Sequence, residues 1–247
     1  MAMSTATSAA NETHGTAGHP VIAGILGYLQ ERRLQPGDRL PSERDFSERL
    51  GVGRNALREA IATLVTLRVV ESRPNSGIYL RHLAKDSSFE TLVMLAGMGA
   101  TPSGGEVAET MEVRSHLELL AVDLACQRRT DDDLHRLDDI LARTDRMLAD
   151  EGNIAALDTE FHVGLVEATH NSVLVRVLNA FYQFTARRRD VLFADLAQGR
   201  ASGRDHRLLV EHLRQRDSVQ AQQLILSHMG RARDYWTTKL PAPLPNP

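Results

Sequence analysis

LPSERDFSERLGVGRNALREAIATLVTLRVVESRPNSGIYL, residues 40–80, reads as a short helix, a glycine turn, a second helix with arginines on one face, and a two-stranded ribbon with a tight tip. Ser42 is placed to cap the first helix, and Asp45 three residues on is its reciprocal acid. Gly51 and Gly53 bracket the turn. The next helix runs from Arg54 to about Leu67, with Leu57, Ile61 and Leu64 as its buried stripe. Two short β segments, 69–72 and 77–81, flank Pro74-Asn75-Ser76-Gly77, where Asn75 and Gly77 are able to take positive φ. This order is that of a winged helix-turn-helix and makes duplex DNA the first partner to consider.

Arg54 and Arg58 are four residues apart and share a helix face with Asn55, outside the apolar stripe. An arginine fork pairs with O6 and N7 of guanine in the major groove. Arg44 on the preceding helix is placed for a phosphate or a base edge. Arg73 and Asn75 sit at the tip of the ribbon, for the backbone or the minor groove. Two arginines on a helix are by themselves more often a solvated, ion-paired face. The helix–glycine turn–helix–hairpin order decides for DNA.

The surrounding composition agrees. Residues 19–83 hold ten Arg or Lys against seven Asp or Glu, while 84–247 hold nineteen against twenty-four, so a basic segment precedes an acidic one. The single cysteine, Cys126, excludes an intrachain disulfide and suggests a reducing cytoplasm. No apolar run approaches the roughly 20 residues of a membrane span. Residues 1–18 read as a disordered lead, 19–83 as the DNA-binding domain, 84–238 as a second domain and 239–247 as a flexible tail. Beyond about Phe89 only helical periodicity appears, over 88–98, 105–128, 131–149, 153–170, 172–197, 200–215 and 217–238. The fold class is mainly α: a winged helix-turn-helix followed by an all-helical bundle of six or seven helices. Asp131, Asn153 and Asp217 stand where N-caps belong.

Ten histidines are present, and four polar positions in the second half stand out. Asp158 and His162 are an i,i+4 pair beside the stripe Leu157–Phe161–Leu165. His228 falls inside an apolar stripe, and His206 lies one turn before Leu209. Single histidines from neighbouring helices plus an i,i+4 pair are how helical bundles build an internal metal site. Such a donor set suits Zn²⁺ first, with Ni²⁺, Mn²⁺ or Fe²⁺ as alternatives. A histidine on an apolar face is also commonly a hydrogen-bonded core residue. Arg114 either points into a pocket or pairs with Glu118. Asn171 either caps the next helix or touches a ligand.

The LPSERDFSERLGVGRNALREAI stretch and the RPNSGIYL ribbon resemble the N-terminal domain of the GntR family of bacterial transcription regulators. The resemblance implies DNA contacts from Arg44, Arg54 and Arg58. Two positions depart from the family pattern: Gly53 stands where Ser or Thr usually caps the recognition helix, and Asn75 where the ribbon usually has Gly. Residues 107–236 resemble the FCD effector domain of the FadR subfamily, through EVRSHLELLAVDLACQRRTDDDL, LDTEFHVGLVEATHNSVL and DHRLLVEHLRQRDSVQAQQLILSHM. That implies a metal held by Asp158, His162, His206 and His228, with His170 and His212 outside the set. It also implies a small carboxylate effector, a pocket role for Arg114, and a homodimer on a two-fold operator. The resulting expectation is a regulator, repressor in sign, whose operator affinity an organic acid controls. The alternative is a metal-dependent hydrolase or lyase with an accessory DNA domain and Glu160 or Glu167 as base. A metal of purely structural role is a third reading.

Overall fold

The computed structural model describes residues 18–98 and 104–239, in two compact units that part between Thr101 and Pro102. The expected lead and tail fall on residues outside that range, except that Gly18 opens the first helix and Lys239 ends the last.

The first unit holds α1 (Gly18–Glu31), α2 (Glu43–Leu50), α3 (Arg54–Thr66), β1 (Val70–Arg73), β2 (Gly77–Leu80), α4 (Leu83–Asp86) and α5 (Phe89–Gly97). Ser42 caps α2 by accepting from the Asp45 amide at 3.3 Å, and Gly51 ends it in the left-handed conformation. Gly53 precedes α3 with no side-chain cap. Ile22 and Ile25 of α1, Phe46 of α2, and Leu57, Ile61 and Leu64 of α3 form the core, each buried. Full burial of such side chains stabilises by about 1.5–3 kcal/mol apiece. The strands are antiparallel, pairing Val70 with Leu80 through to Arg73 with Gly77. The Leu40 amide donates to the Ile78 carbonyl at 2.8 Å, so the chain before α2 lies along the free edge of the ribbon.

The sequence division at 83/84 lies upstream of the structural one. α5 belongs to the first unit: Leu95 is buried in its core, and the Thr91 hydroxyl donates to the Leu67 carbonyl at 3.4 Å. Its short apolar pattern looks the same whichever core it joins.

Among the described residues the second unit holds seven helices: α6 (Gly104–Arg128), α7 (Asp131–Ala149), α8 (Ala155–Glu167), α9 (Ser172–Phe184), α10 (Ala186–Leu192), α11 (Leu196–Gln215) and α12 (Ser218–Lys239). Phe161 and Leu165 of α8 pack with Leu137 of α7, Leu209 and Leu213 of α11 and Ile225 of α12. The number expected is met by a different partition. One expected helix, 88–98, lies in the first unit, while the expected 172–197 is broken at Thr185. There the hydroxyl donates back to the Phe181 carbonyl at 2.9 Å and the chain turns with no Gly or Pro to mark it. The cap of α7 is Thr130, in a full capping box with Asp133, and Asp131 is a first-turn acid instead. Asp217 does cap α12, its side chain accepting from the Gln220 amide at 3.1 Å, whereas the residue before α8 is Ile154 and Asn153, one position further out, accepts from the Ala155 amide at 2.9 Å.

Candidate functional site

In the first unit α3 presents Arg54, Asn55 and Arg58 to solvent, opposite its buried stripe. The Arg58 Nε donates to the Glu43 carboxylate at 2.6 Å, and the Arg44 Nε to Glu48 at 3.3 Å. All four of these side chains are exposed, so the pairs are weak and exchangeable. At the ribbon tip Asn75 has φ 58° and Gly77 φ 126°. A Cβ on Gly77 would stand 2.7 Å from the Arg39 Nε, so Gly77 also lets that arginine cross the ribbon. Arg73 lies over the Tyr79 ring at 4.1 Å and is held by Glu71 at 2.6 Å. Arg39, exposed and beside the tip, was not singled out in the sequence because it precedes the helix-turn-helix pattern.

In the second unit α8, α11 and α12 bring Asp158, His162, His206 and His228 together, all buried, with one ligand atom from each lying within 4.8 Å of the others. Ligand atoms about 2.1 Å from a shared ion lie about 3.4 Å apart in a tetrahedral shell, so the four donors would draw in slightly around an ion. The imidazoles are aimed from behind. His162 Nδ1 sits 3.3 and 3.4 Å from the two oxygens of Glu118, and His228 Nδ1 sits 3.2 Å from Asp205. Each carboxylate favours a proton on Nδ1 and so leaves Nε2 as the free donor. Phe161 stacks on His206 with centroids 3.9 Å apart. The Ser202 hydroxyl donates to Asp158 at 3.1 Å.

The electrostatics suit ligation. Burial pushes the His162 and His206 imidazoles below their usual range, so both stay neutral near pH 7. Burial alone would raise the Asp158 carboxyl, but the neighbouring imidazoles, which become charged in acid, and the Arg189 guanidinium outweigh it and hold it low and ionised. Deprotonated carboxylate and neutral imidazole are the forms that bind metal ions. This cluster is therefore able to hold a metal ion.

A cavity of about 50 Å³ opens beside Asp158, His162 and His228. Arg114 lines it, yet its Nε and Nη2 both go to Glu118, at 3.2 and 3.1 Å, so the buried pair and the pocket position are both realised. Asn171 does not line the cavity. Its side chain accepts from the Val173 and Leu174 amides, both at 3.1 Å, and it is the cap of α9. The expectation of a ligand contact there is corrected: both capping bonds use the one oxygen that a short side chain brings to the helix start. His170 pairs with Asp133 at 2.9 Å, apart from the cluster. Glu160, weighed as a base, is clasped by both Arg143 Nη atoms at 2.6 and 2.7 Å on the exposed face of α8.

Arg189 is the site residue that sequence reading missed. It is buried against the cavity, its Nε 3.0 Å from Asp158 and its guanidinium 5.0 Å from the Tyr182 ring. The signal was present: in Phe184–Phe193 three consecutive arginines are flanked by apolar residues, and at 100° per residue one must face inward.

Comparison with known proteins gives the family. Residues 21–80 match the profile of bacterial regulatory proteins of the gntR family, and residues 109–231 that of the FCD domain. The HTH-type transcriptional regulator LutR of Bacillus subtilis is 27% identical over 211 residues, 83% of this chain and 94% of its own. The putative L-lactate dehydrogenase operon regulatory protein of Escherichia coli is 30% identical over 159 residues, 64% of this chain and 60% of its own. Among solved structures, a GntR protein of Streptococcus agalactiae superposes with a TM-score of 0.50 at 25% identity, over 87% of this chain and 98% of its own. No helix among the described residues is long and apolar enough to cross a membrane. The chain belongs to the GntR family of bacterial regulators, with an FCD domain behind its winged helix-turn-helix, and is a DNA-binding transcription regulator rather than an enzyme.

Proposed function

We propose that this regulator is a cytoplasmic homodimeric repressor whose operator affinity is set by a small organic acid bound beside a divalent ion in the helical unit. The observation that carries the reading is the buried Asp158–His162–His206–His228 cluster opening onto a cavity lined by arginines. Zn²⁺ fits a set of three imidazoles and one carboxylate, and Ni²⁺, Mn²⁺ or Fe²⁺ fit less selectively. When bound, the ion supplies concentrated positive charge next to the cavity. The chain's own residues do the rest. Glu118 and Asp205 hold two imidazoles in orientation, and Arg189 holds Asp158.

On the DNA side, Arg54, Asn55 and Arg58 enter the major groove with Arg44 beside them, and Arg73 and Asn75 carry the ribbon tip along the backbone. Two copies reading a two-fold operator give the usual symmetry match. An acid that draws α8, α11 and α12 together changes the spacing of the two DNA-binding units, with coupling of about 1–3 kcal/mol. The name of the Escherichia coli relative, which refers to an L-lactate dehydrogenase operon, supports an acid of this size. Cys126, buried with its thiol pushed up to about 11, is unreactive, which suits a reducing compartment.

The test is a gel-shift titration of zinc-loaded protein on its own promoter with hydroxy acids and dicarboxylates. Release of DNA by one acid, abolished by chelator, is expected. Binding indifferent to every acid and to chelator ends the reading.

A further inference from the structure

The Arg189 guanidinium is fixed on three sides. Its Nε is 3.0 Å from the Asp158 carboxylate, its Nη1 donates to the Thr159 hydroxyl at 3.1 Å, and its plane lies against Tyr182. Its Nη2 is buried and has no hydrogen-bond partner among the described residues. A buried charged donor without an acceptor is a costly arrangement, and here it occurs in a residue that lines the cavity.

The charge count runs the same way. Inside the site, Arg114 and Arg189 are matched by Glu118 and Asp158. A divalent ion in the cluster then adds positive charge that no buried side chain offsets, and a buried charge demands a partner. The cavity, at about 50 Å³, has room for about four waters, the size of a short acid. Leu192, Phe193, Met229 and Trp236 give the wall an apolar part that suits a short carbon skeleton, and Arg188, Gln198 and Arg231 add polar groups around it.

We propose that Arg189 Nη2 anchors one carboxylate oxygen of the effector beside the metal cluster, and so selects small acids over their neutral analogues. This rests on the metal-borne acid effector proposed above. Arg114, whose Nε and Nη2 are spent on Glu118, is a wall of the same cavity and Arg189 is its recognition group. Arg189 is thus a specificity residue that also positions Asp158.

The experiment uses the full-length zinc-loaded protein and calorimetric titration with acetate, L-lactate, malonate and citrate. Arg189→Lys keeps a charge for Asp158 but lacks the second arm of the fork. It is expected to retain one zinc per chain by elemental analysis and to bind the tightest acid at least about tenfold more weakly. Binding within about twofold of wild type overturns the inference alone. Loss of zinc together with the acid leaves Arg189 only its hold on Asp158, and also overturns it. A wild type that binds none of the four acids overturns the effector reading, and this inference with it. Should the variant not fold, a crystal structure of the wild type with its tightest acid decides. A carboxylate oxygen within about 3.2 Å of Nη2 supports the assignment, and a nearest oxygen beyond about 4 Å refutes it.

Discussion

Arg58 is held in the free protein by Glu43, 2.6 Å from its Nε, with both side chains substantially exposed. Such a pair parks the guanidinium on the solvent-exposed side of α3 without fixing it, because surface pairs contribute only about 0–1 kcal/mol. Replacing both Arg54 and Arg58 by Ala is expected to weaken operator binding at least about tenfold while leaving the melting temperature within a degree or two, since a good arginine–guanine pair is worth about 1–3 kcal/mol. Fluorescence anisotropy with a labelled promoter measures this, and unchanged affinity would remove the basis for assigning α3 to the major groove. The spacing of these arginines gave their shared face, and the helix–glycine turn–helix–hairpin order gave the DNA reading. Glu43 as a partner was not legible, because it stands 15 residues away and only the turn brings it near.

At the scale of elements, α7 begins where Thr130 and Asp133 cap one another, and Asp133 is also reached by His170 at 2.9 Å and by Arg136. Burial alone would raise the Asp133 carboxyl. The Thr130 backbone and hydroxyl, with His170 and Arg136, outweigh burial and hold it below the usual range. As pH falls, the unfolded chain then takes up the proton first. The stabilisation is full above the unfolded value of about 3.9 and is lost as pH drops through the lower folded value. Asp133→Asn should cost about 1 kcal/mol at pH 7, and the gap to wild type should close in urea melts carried down from pH 4. A gap independent of pH would mean that the carboxylate charge is irrelevant to the cap. The capping residue shifted from the expected Asp131 to Thr130 because either neighbour of a helix start can cap, and packing chooses. The break at Thr185 is the more consequential case: it carries Arg189 inward, and no local residue announces it.

For the molecule as a whole, an ion that binds only the folded helical unit must stabilise it. At a concentration a hundredfold above Kd the gain is about 2.7 kcal/mol. Stripping the protein with a chelator and back-dialysing zinc should therefore lower and restore its melting temperature by several degrees, read by scanning calorimetry. A melting curve unaffected by chelator would argue that the four donors hold no ion. If stripping abolishes acid binding while most of the stability persists, a purely structural role for the metal is excluded as well.

The sequence by itself determined most of the order of elements, the buried stripes and the exposed face of α3, because each depends on helical period or short-range turn chemistry; it offered the four donors of the cluster as candidates, which resemblance to the FCD domain joined into one set. The tertiary structure alone decided which core α5 joins, that Asn171 caps rather than binds, and that Glu118 and Asp205 stand behind His162 and His228. It alone placed Arg189 in the cavity. Apart from the Asn171 cap, which closes over two and three residues, those outcomes depend on residues 23 to 44 positions apart meeting in a desolvated space, where burial strengthens every charge and forces each polar group to find a partner.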